Sequence, residues 1–269
     1  MNLEHLPDLY YTTEQARKKL GMTKDAFNHY VRTGVIKKTT IVGKHGHFMK
    51  RDIDMLAMSI ASAMIAAQSP DLQFRKATLD QLEEEIKLAV QNYGERTVAF
   101  NEQRRQFLQA NPDMSYYLYD GKFMVASINI LPLAHKGILK FCQGERGWNL
   151  GEYIEQFEPG KPLEVIIIDM LTTPLVPPSR RSSYALHLLF GLARLLEQWG
   201  KQGIDIIKVY GCGSTLDGIR NLESAGFTRL GEPVVRRVMY ELDIATSDLH
   251  LIQAYKEAIT EYQAKSRQV

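Results

Sequence analysis

The chain of 269 residues contains only two cysteines, Cys142 and Cys212. Two thiols cannot build a disulfide framework, and their separation matches no metal-ligand spacing. His45 and His47 sit close together, but neither a cysteine nor a third ligand accompanies them, so no metal is expected. No apolar run reaches the ~18 residues a membrane span needs. The opening MNLEHLPDLYY carries acids and lacks the charged-then-apolar order of a secretory signal. These absences point to a cytoplasmic protein without a membrane partner. Excess charge is also lacking: 33 basic residues face 31 acidic ones, a net +2 that excludes a uniformly polycationic chain. Hydrophobic residues at 45% and charged residues at 24% give ordinary globular composition, and the length suits one or two domains.

The small charge is unevenly placed. Residues 1–54 hold ten Lys/Arg and six Asp/Glu, a net +4, which leaves −2 for the remainder. A basic head on a slightly acidic body is the pattern of a polyanion-binding module joined to something else. Within that head Thr12 and Gln15 have capping-box spacing for a first short helix that stops at Gly21. Thr23 caps a second helix, Lys24 to Arg32, ended by Gly34. Ala26, Phe27, Tyr30 and Val31 would form its buried stripe, with Lys24, Asp25, Asn28 and Arg32 on the opposite side. Val35 to Met49 alternates and contains Gly43 and Gly46, as in a small β-ribbon. Lys50-Arg51-Asp52-Ile53 restarts a helix.

From Tyr10 to Leu56 this string resembles the winged helix-turn-helix of the MerR and excisionase families. The resemblance implies binding of double-stranded DNA, with the second helix in the major groove and the ribbon as a wing. The residues it assigns to DNA are Lys24, Asp25, Asn28, Arg32, Lys37, Lys38 and Lys44. Lys and Arg neutralise phosphates, while Asn28 and Arg32 are of types that read base edges. A solvated basic face on a structural three-helix module is the alternative. Asp54 to Gln68 reads as an Ala- and Met-rich helix. Met58, Ile60, Met64 and Ile65 need cover, from the body or from a second subunit, so a homodimer through Met55–Gln68 is expected. Ser247 to Arg267 is an amphipathic helix and a second candidate for that contact.

The middle of the chain changes character. Short strand Phe74–Thr78, helices Leu79–Tyr93 and Phe100–Ala110, a hairpin around Asp120-Gly121, and buried strand Leu163–Met170 follow in order. Then come a long helix after Pro177, strand Ile204–Tyr210, helix Leu216–Ala225 and strand from Phe227 to Leu242. This β-α-α-β-β-β-α-β-α-β order is an α/β fold with a mixed sheet. The expected division is a winged helix-turn-helix at 1–56, a linker helix at 57–73, the α/β domain at 74–244 and a C-terminal helix at 245–269.

That order is similar to the GNAT acyltransferase superfamily. Three features carry the likeness: strand Leu163–Met170 running into Arg180-Arg181-Ser182-Ser183-Tyr184-Ala185, strand Ile204–Tyr210, and Ile219 to Gly231 with its Gly226-Phe227. The family motif at the first site has Arg or Gln, two residues, Gly, one residue, then Gly or Ala. Arg180 and Ala185 fit, and Ser183 replaces a glycine. The resemblance implies an acyl-CoA ligand, whose pyrophosphate would meet Arg180, Arg181, Ser182, Ser183, Tyr184 and Ala185 at the helix start; unpaired N–H groups and the positive dipole end attract an anion there. An ordinary helix cap with two surface arginines is the alternative. The catalytic acid of the family, a tyrosine, is replaced by Leu222, and a cofactor-contacting Asn by Thr215. The candidates for a base are Glu164 and Asp169. Asp169 on an apolar strand is either a base with a raised pKa or a structurally bonded carboxylate. No histidine stands at a nucleophile-activating spacing from Cys142 or Cys212, which read as small buried side chains. The expected function is a DNA-binding transcriptional regulator whose GNAT-type domain senses or assembles. An active N-acyltransferase with a DNA-targeting head is the alternative, and an interaction protein without a small ligand the third reading.

Overall fold

The computed structural model describes residues 9–39, 46–57, 60, 71–95, 101–247 and 249–266. The chain divides into two compact units, residues 1–69 and 70–269.

In the first unit Thr12 and Gln15 exchange both capping-box bonds at the start of α1 (Thr13–Lys19). Thr23 caps α2 (Lys24–Arg32) by accepting the Ala26 N–H at 3.3 Å. Each cap satisfies helix-end donors that would otherwise lack partners. Strand β1 (Tyr10–Thr12) pairs antiparallel with β2 (His47–Met49), and residues 50–57 are helical. Ala16, Leu20, Phe27, Ile36, Phe48 and Ile53 make the core, with Phe27 and Phe48 edge to face at 5.2 Å. Two expectations need correction. Tyr30 is not part of the buried stripe: it is 39% exposed, and Phe27 alone on α2 is fully buried. The second strand of the expected ribbon pairs mainly with Tyr10–Thr12, and within the ribbon one bridge, Thr39 to His47, is described. Lys44, His45, the glycine turn at Gly43 and most of the Met55–Gln68 helix lie outside the described residues.

The second unit is a seven-stranded sheet in the order β3-β4-β5-β6-β7-β9-β8. Its strands are β3 (Leu72–Lys76), β4 (Ser115–Asp120), β5 (Phe123–Leu133), β6 (Pro162–Thr172), β7 (Asp205–Gly213), β8 (Thr228–Arg229) and β9 (Val238–Asp243). Among the described strands only β6 and β7 pair in parallel. Helices α3 (Leu82–Tyr93), α4 (Asn101–Ala110) and α5 (His135–Cys142) bury Leu88, Phe107 and Ile138 in one cluster with Tyr117 and Leu131. Tyr116 points to the opposite face, where its ring meets Trp199 of α6 (Pro178–Lys201). Adjacent strand residues alternate between faces, so Tyr116 and Tyr117 anchor the two layers. Helix α7 (Leu216–Ser224) follows β7 and is capped by Thr215.

The C-terminal helix α8 (Gln253–Ser266) lies on α6. Tyr255, Ala258 and Ile259 are buried, and a Cβ on Gly200 would stand 2.9 Å from the Tyr255 carbonyl oxygen. The Tyr255 hydroxyl also donates to the Ile204 carbonyl at 3.0 Å. This apolar face is therefore covered by its own body, which removes it as a candidate subunit contact. Helix α5 falls in a stretch for which the sequence suggested no element.

Candidate active site

The site is built where two strands part. Parallel pairing of β6 with β7 runs from Pro162↔Asp205 to Ile166↔Tyr210 and stops there. Strand β6 continues to Thr172 and β7 to Gly213. A crevice with unpaired strand edges opens between their carboxyl ends, the usual ligand position in sheets with parallel strands. On its other edge β6 stays paired with β5, but the register slips between Asn129 and Ile130, so that Ile168 has no partner. Such a bulge re-aims the following side chain. That side chain is Asp169.

Asp169 is buried in a polar cluster drawn from five elements. Asn129 Nδ2 donates to Asp169 Oδ1 at 2.6 Å and to Glu85 Oε1 at 3.3 Å. Arg104 on α4 donates to both oxygens of Glu85 on α3 and approaches Asp169 Oδ2 at 3.8 Å. Ser115 Oγ donates to Asn129 Oδ1 at 2.5 Å. The Arg104 guanidinium carbon lies over the Trp148 ring, 4.3 Å from its centroid. Glu85 is 1%, Arg104 2% and Asp169 8% exposed, so two carboxylates share one cation away from water. Burial pushes the Glu85 carboxyl up to about 7, against the pull of Arg104. Burial likewise raises Asp169, with Arg104 and the bonds from Asn129 and Trp148 opposing it. Arg104 Nε has no hydrogen-bond partner.

Across the crevice stands Cys212 on β7, half-buried. Its thiol is pushed up by burial and by the charge of Asp169, while Arg237 opposes both. Arg237 also bonds the Gly144 carbonyl. It ends a two-residue turn in which Val235 and Arg236 have φ of 51° and 61°. A β-branched residue at positive φ is strained and persists only where its surroundings fix it. Tyr93, at the end of α3, is raised by desolvation and then by Asp169 and Cys212.

The expected site residues are thus separated. Glu164 does not join Asp169: it lies five residues earlier on β6, roughly 16 Å at ~3.3 Å per residue. It is held there by the Tyr210 hydroxyl at 2.7 Å and His135 Nδ1 at 2.6 Å. At the start of α6, Arg180 is bonded to Asp120 at 2.7 Å and to the Tyr184 hydroxyl at 3.0 Å. Asp120 is lowered by those same two partners. The helix begins at Pro178, so the N–H groups of Ser182 to Ala185 lie inside it rather than in an open loop. Pro178 has no N–H, and those of Arg180 and Arg181 both reach the Pro177 carbonyl, at 2.9 and 3.1 Å. Ser182 Oγ donates to the Pro178 carbonyl, and Ser183 is buried with its hydroxyl unpartnered. Arg181 is exposed and Ala185 half-buried. Beside this start lies a cavity of about 390 Å³, lined by Phe123, Met124, Leu175 and Val176 with Glu84 and Tyr184. Leu222, where the resemblance implies a tyrosine, packs toward Gly211.

On α2 the side chains of Lys24, Asp25, Asn28 and Arg32 are all exposed, as are Lys37 and Lys38 beyond it. Among the described residues no group of three His, Cys, Asp or Glu can hold a metal ion. No helix among them is long and apolar enough to cross a membrane.

No family model matches the chain, and no curated protein matches it. Solved structures do. A GNAT-like decarboxylase, GphF, in complex with isobutyryl-CoA is 14% identical; the match covers 64% of this chain and 98% of that one, with a TM-score of 0.45. The loading GNATL domain of CurA from Lyngbya majuscula is 12% identical over 65% of this chain and 99% of that one, at 0.46. The ribosomal-protein-S18-alanine N-acetyltransferase from Escherichia coli is 11% identical over 66% and 97%, at 0.40. Likeness of this degree carries no residue role.

Proposed function

We propose that residues 70–269 bind an acyl-CoA-type thioester and transfer its acyl group to an amine. The observation that carries this reading is the crevice between β6 and β7. Its strand edges offer unpaired N–H and C=O groups to an extended ligand rich in amides, as in strand addition. Pantetheine has that chemistry, and the order of elements has the GNAT likeness seen in the sequence. The ligand's anionic end would meet the positive end of α6 and the exposed Arg181. Asp169 is the proton acceptor of the crevice, and the walls position amine and thioester together, which supplies much of the rate in such transfers. The test is thermal unfolding of the full chain with CoA and acetyl-CoA, followed by thiol release with added amines. Binding at a hundred times Kd stabilises by about 2.7 kcal/mol. No shift at millimolar thioester refutes the reading. Binding without thiol release favours the sensory reading instead.

For the head we infer binding to double-stranded DNA. Its basis is the face of α2, where exposed Lys24, Asn28 and Arg32 lie opposite buried Phe27. Arg32→Ala should weaken binding to a selected site, and Lys37→Ala should weaken all sequences alike and flatten the salt dependence. Affinity equal at low and high salt rules this out.

A further inference from the structure

The two buried carboxylates are tied together through shared partners. Glu85 comes from α3 and Asp169 from β6, yet the same Asn129 amide reaches both, at 3.3 and 2.6 Å, and the same guanidinium lies between them. Two carboxylates against one cation leave one negative charge that burial opposes, and the relief is a proton shared by the pair. The geometry points to Glu85 as the positioning residue whose charge, held beside Asp169 across the shared guanidinium, sets the pH at which Asp169 accepts a proton from the amine. This rests on the acyl-transfer reading above.

The groups around the pair agree with that assignment. Arg104 from α4 is the only cation that contacts it in the described residues; Arg237, behind Cys212, faces the thiol. The hydroxyls of Tyr93 from α3 and Tyr117 from β4 feel the charge of the pair: both are raised, first by desolvation and then by Asp169 for Tyr93 and by Glu85 for Tyr117. Asn129 from β5 and Ser115 from β4 complete the bonding, and Trp148 caps the guanidinium. In the step, the amine nitrogen bonds to the thioester carbon and the carbon–sulfur bond breaks. The amine's proton goes to Asp169, and Asp169 gives it up to the departing thiolate, which leaves as the thiol, so the pair returns to its starting state. With Glu85 ionised beside it, Asp169 stays basic near neutrality, as a good acceptor must.

Two measurements on the full chain decide this separately. Carbon-13 NMR of labelled carboxyl groups, without ligand, should show a Glu or Asp titrating near pH 7 that is lost in Glu85→Gln, a variant whose amide oxygen replaces Oε1 as acceptor for Arg104 and Asn129 and gives up only the second bond to Arg104. The absence of any carboxyl titrating above pH 6 overturns the shared proton, whatever the enzyme does. The second readout is the pH profile of acyl transfer. Glu85→Gln removes the like charge, so the acidic limb of kcat/KM should move down by one pH unit or more, and the plateau should fall because the base is weaker. Glu85→Asp, with the charge restored, should bring the limb back. A limb that stays in place while the variant folds normally overturns the positioning role. If the carboxyl titrates as expected but no thioester reacts in the wild type, the acyl-transfer reading fails and the positioning role fails with it, while the shared proton stands.

Discussion

Replacing Arg104 by methionine keeps an unbranched apolar stem while removing the guanidinium that stacks on Trp148 and that two buried carboxylates share. Arg104 is 2% exposed, so water cannot take its place without opening α4 from the sheet. Removing one partner of a buried pair costs about 3–5 kcal/mol. For a unit of this size each kcal/mol moves the melting temperature by about 2–4 °C, so a fall of ~6–20 °C is expected. The loss must depend on pH. Without Arg104 both carboxyls are pushed up further, so the folded variant keeps protons that the unfolded chain releases above about pH 4. The folded state then binds more protons than the unfolded one, and stability falls as pH rises. The deficit against wild type should thus be smaller at pH 5 than at pH 8. Urea denaturation at both values, followed by tryptophan fluorescence, measures it. Adding Glu85→Gln should recover part of the loss at pH 8, because one of the stranded charges is gone. A deficit under ~1 kcal/mol at pH 8, or one that grows toward pH 5, would refute the buried, two-to-one charge arrangement.

Gly200→Ala should destabilise by about 1–3 kcal/mol, since its methyl would stand 2.9 Å from the Tyr255 carbonyl and force α8 off α6; a gain near 1 kcal/mol from helix propensity alone would mean the close approach is absent. Val235→Gly should stabilise by about 1 kcal/mol net, read as a higher urea midpoint, because the strain of a β-branched residue at φ 51° outweighs the entropy a glycine adds to the unfolded chain. Thr23→Ala should cost the N-terminal unit ~1 kcal/mol through loss of the bond to Ala26 N–H, read as a lower melting temperature of that unit.

The parts of the fold that the sequence makes legible are those fixed within a few residues. Thr12 with Gln15 and Thr23 with Ala26 form the caps their spacing demands, and Asp120-Gly121 turns with Gly121 at φ 60°. The strand Pro162–Thr172 is apolar on both faces and lies at the centre of the sheet, as its composition requires. Tyr30 misled because helical period alone cannot say how wide the buried stripe is. The stripe of a nine-residue helix over a six-residue core is narrow, and Phe27 fills it. The C-terminal helix misled for the opposite reason. Its apolar face was plain in the sequence, but Gly200, which lets another helix approach it, lies more than fifty residues away.

The candidate site was half legible, and the division has a physical cause. Asp169 stood out because a carboxylate on an apolar strand must have partners, whatever its role. Glu164 met the same criterion with equal force, yet its partners, Tyr210 and His135, hold it at the paired end of the strand. What separates the two is where pairing with β7 stops and where Ile168 bulges, and neither is written in the composition of β6. Glu85 and Arg104 left a fainter trace. Leu82, Glu85, Leu88 and Ala89 share the buried face of α3, and Arg104, Phe107 and Leu108 share that of α4. A charged residue in phase with a helix's apolar stripe is therefore a buried charge, and an acid so placed on one helix with a base so placed on the next is a pair. The pattern was in the sequence, but helical period alone finds each member singly. Only the sheet brings them to Asp169, and that third contact turns an ordinary ion pair into a site with one more carboxylate than it has cations.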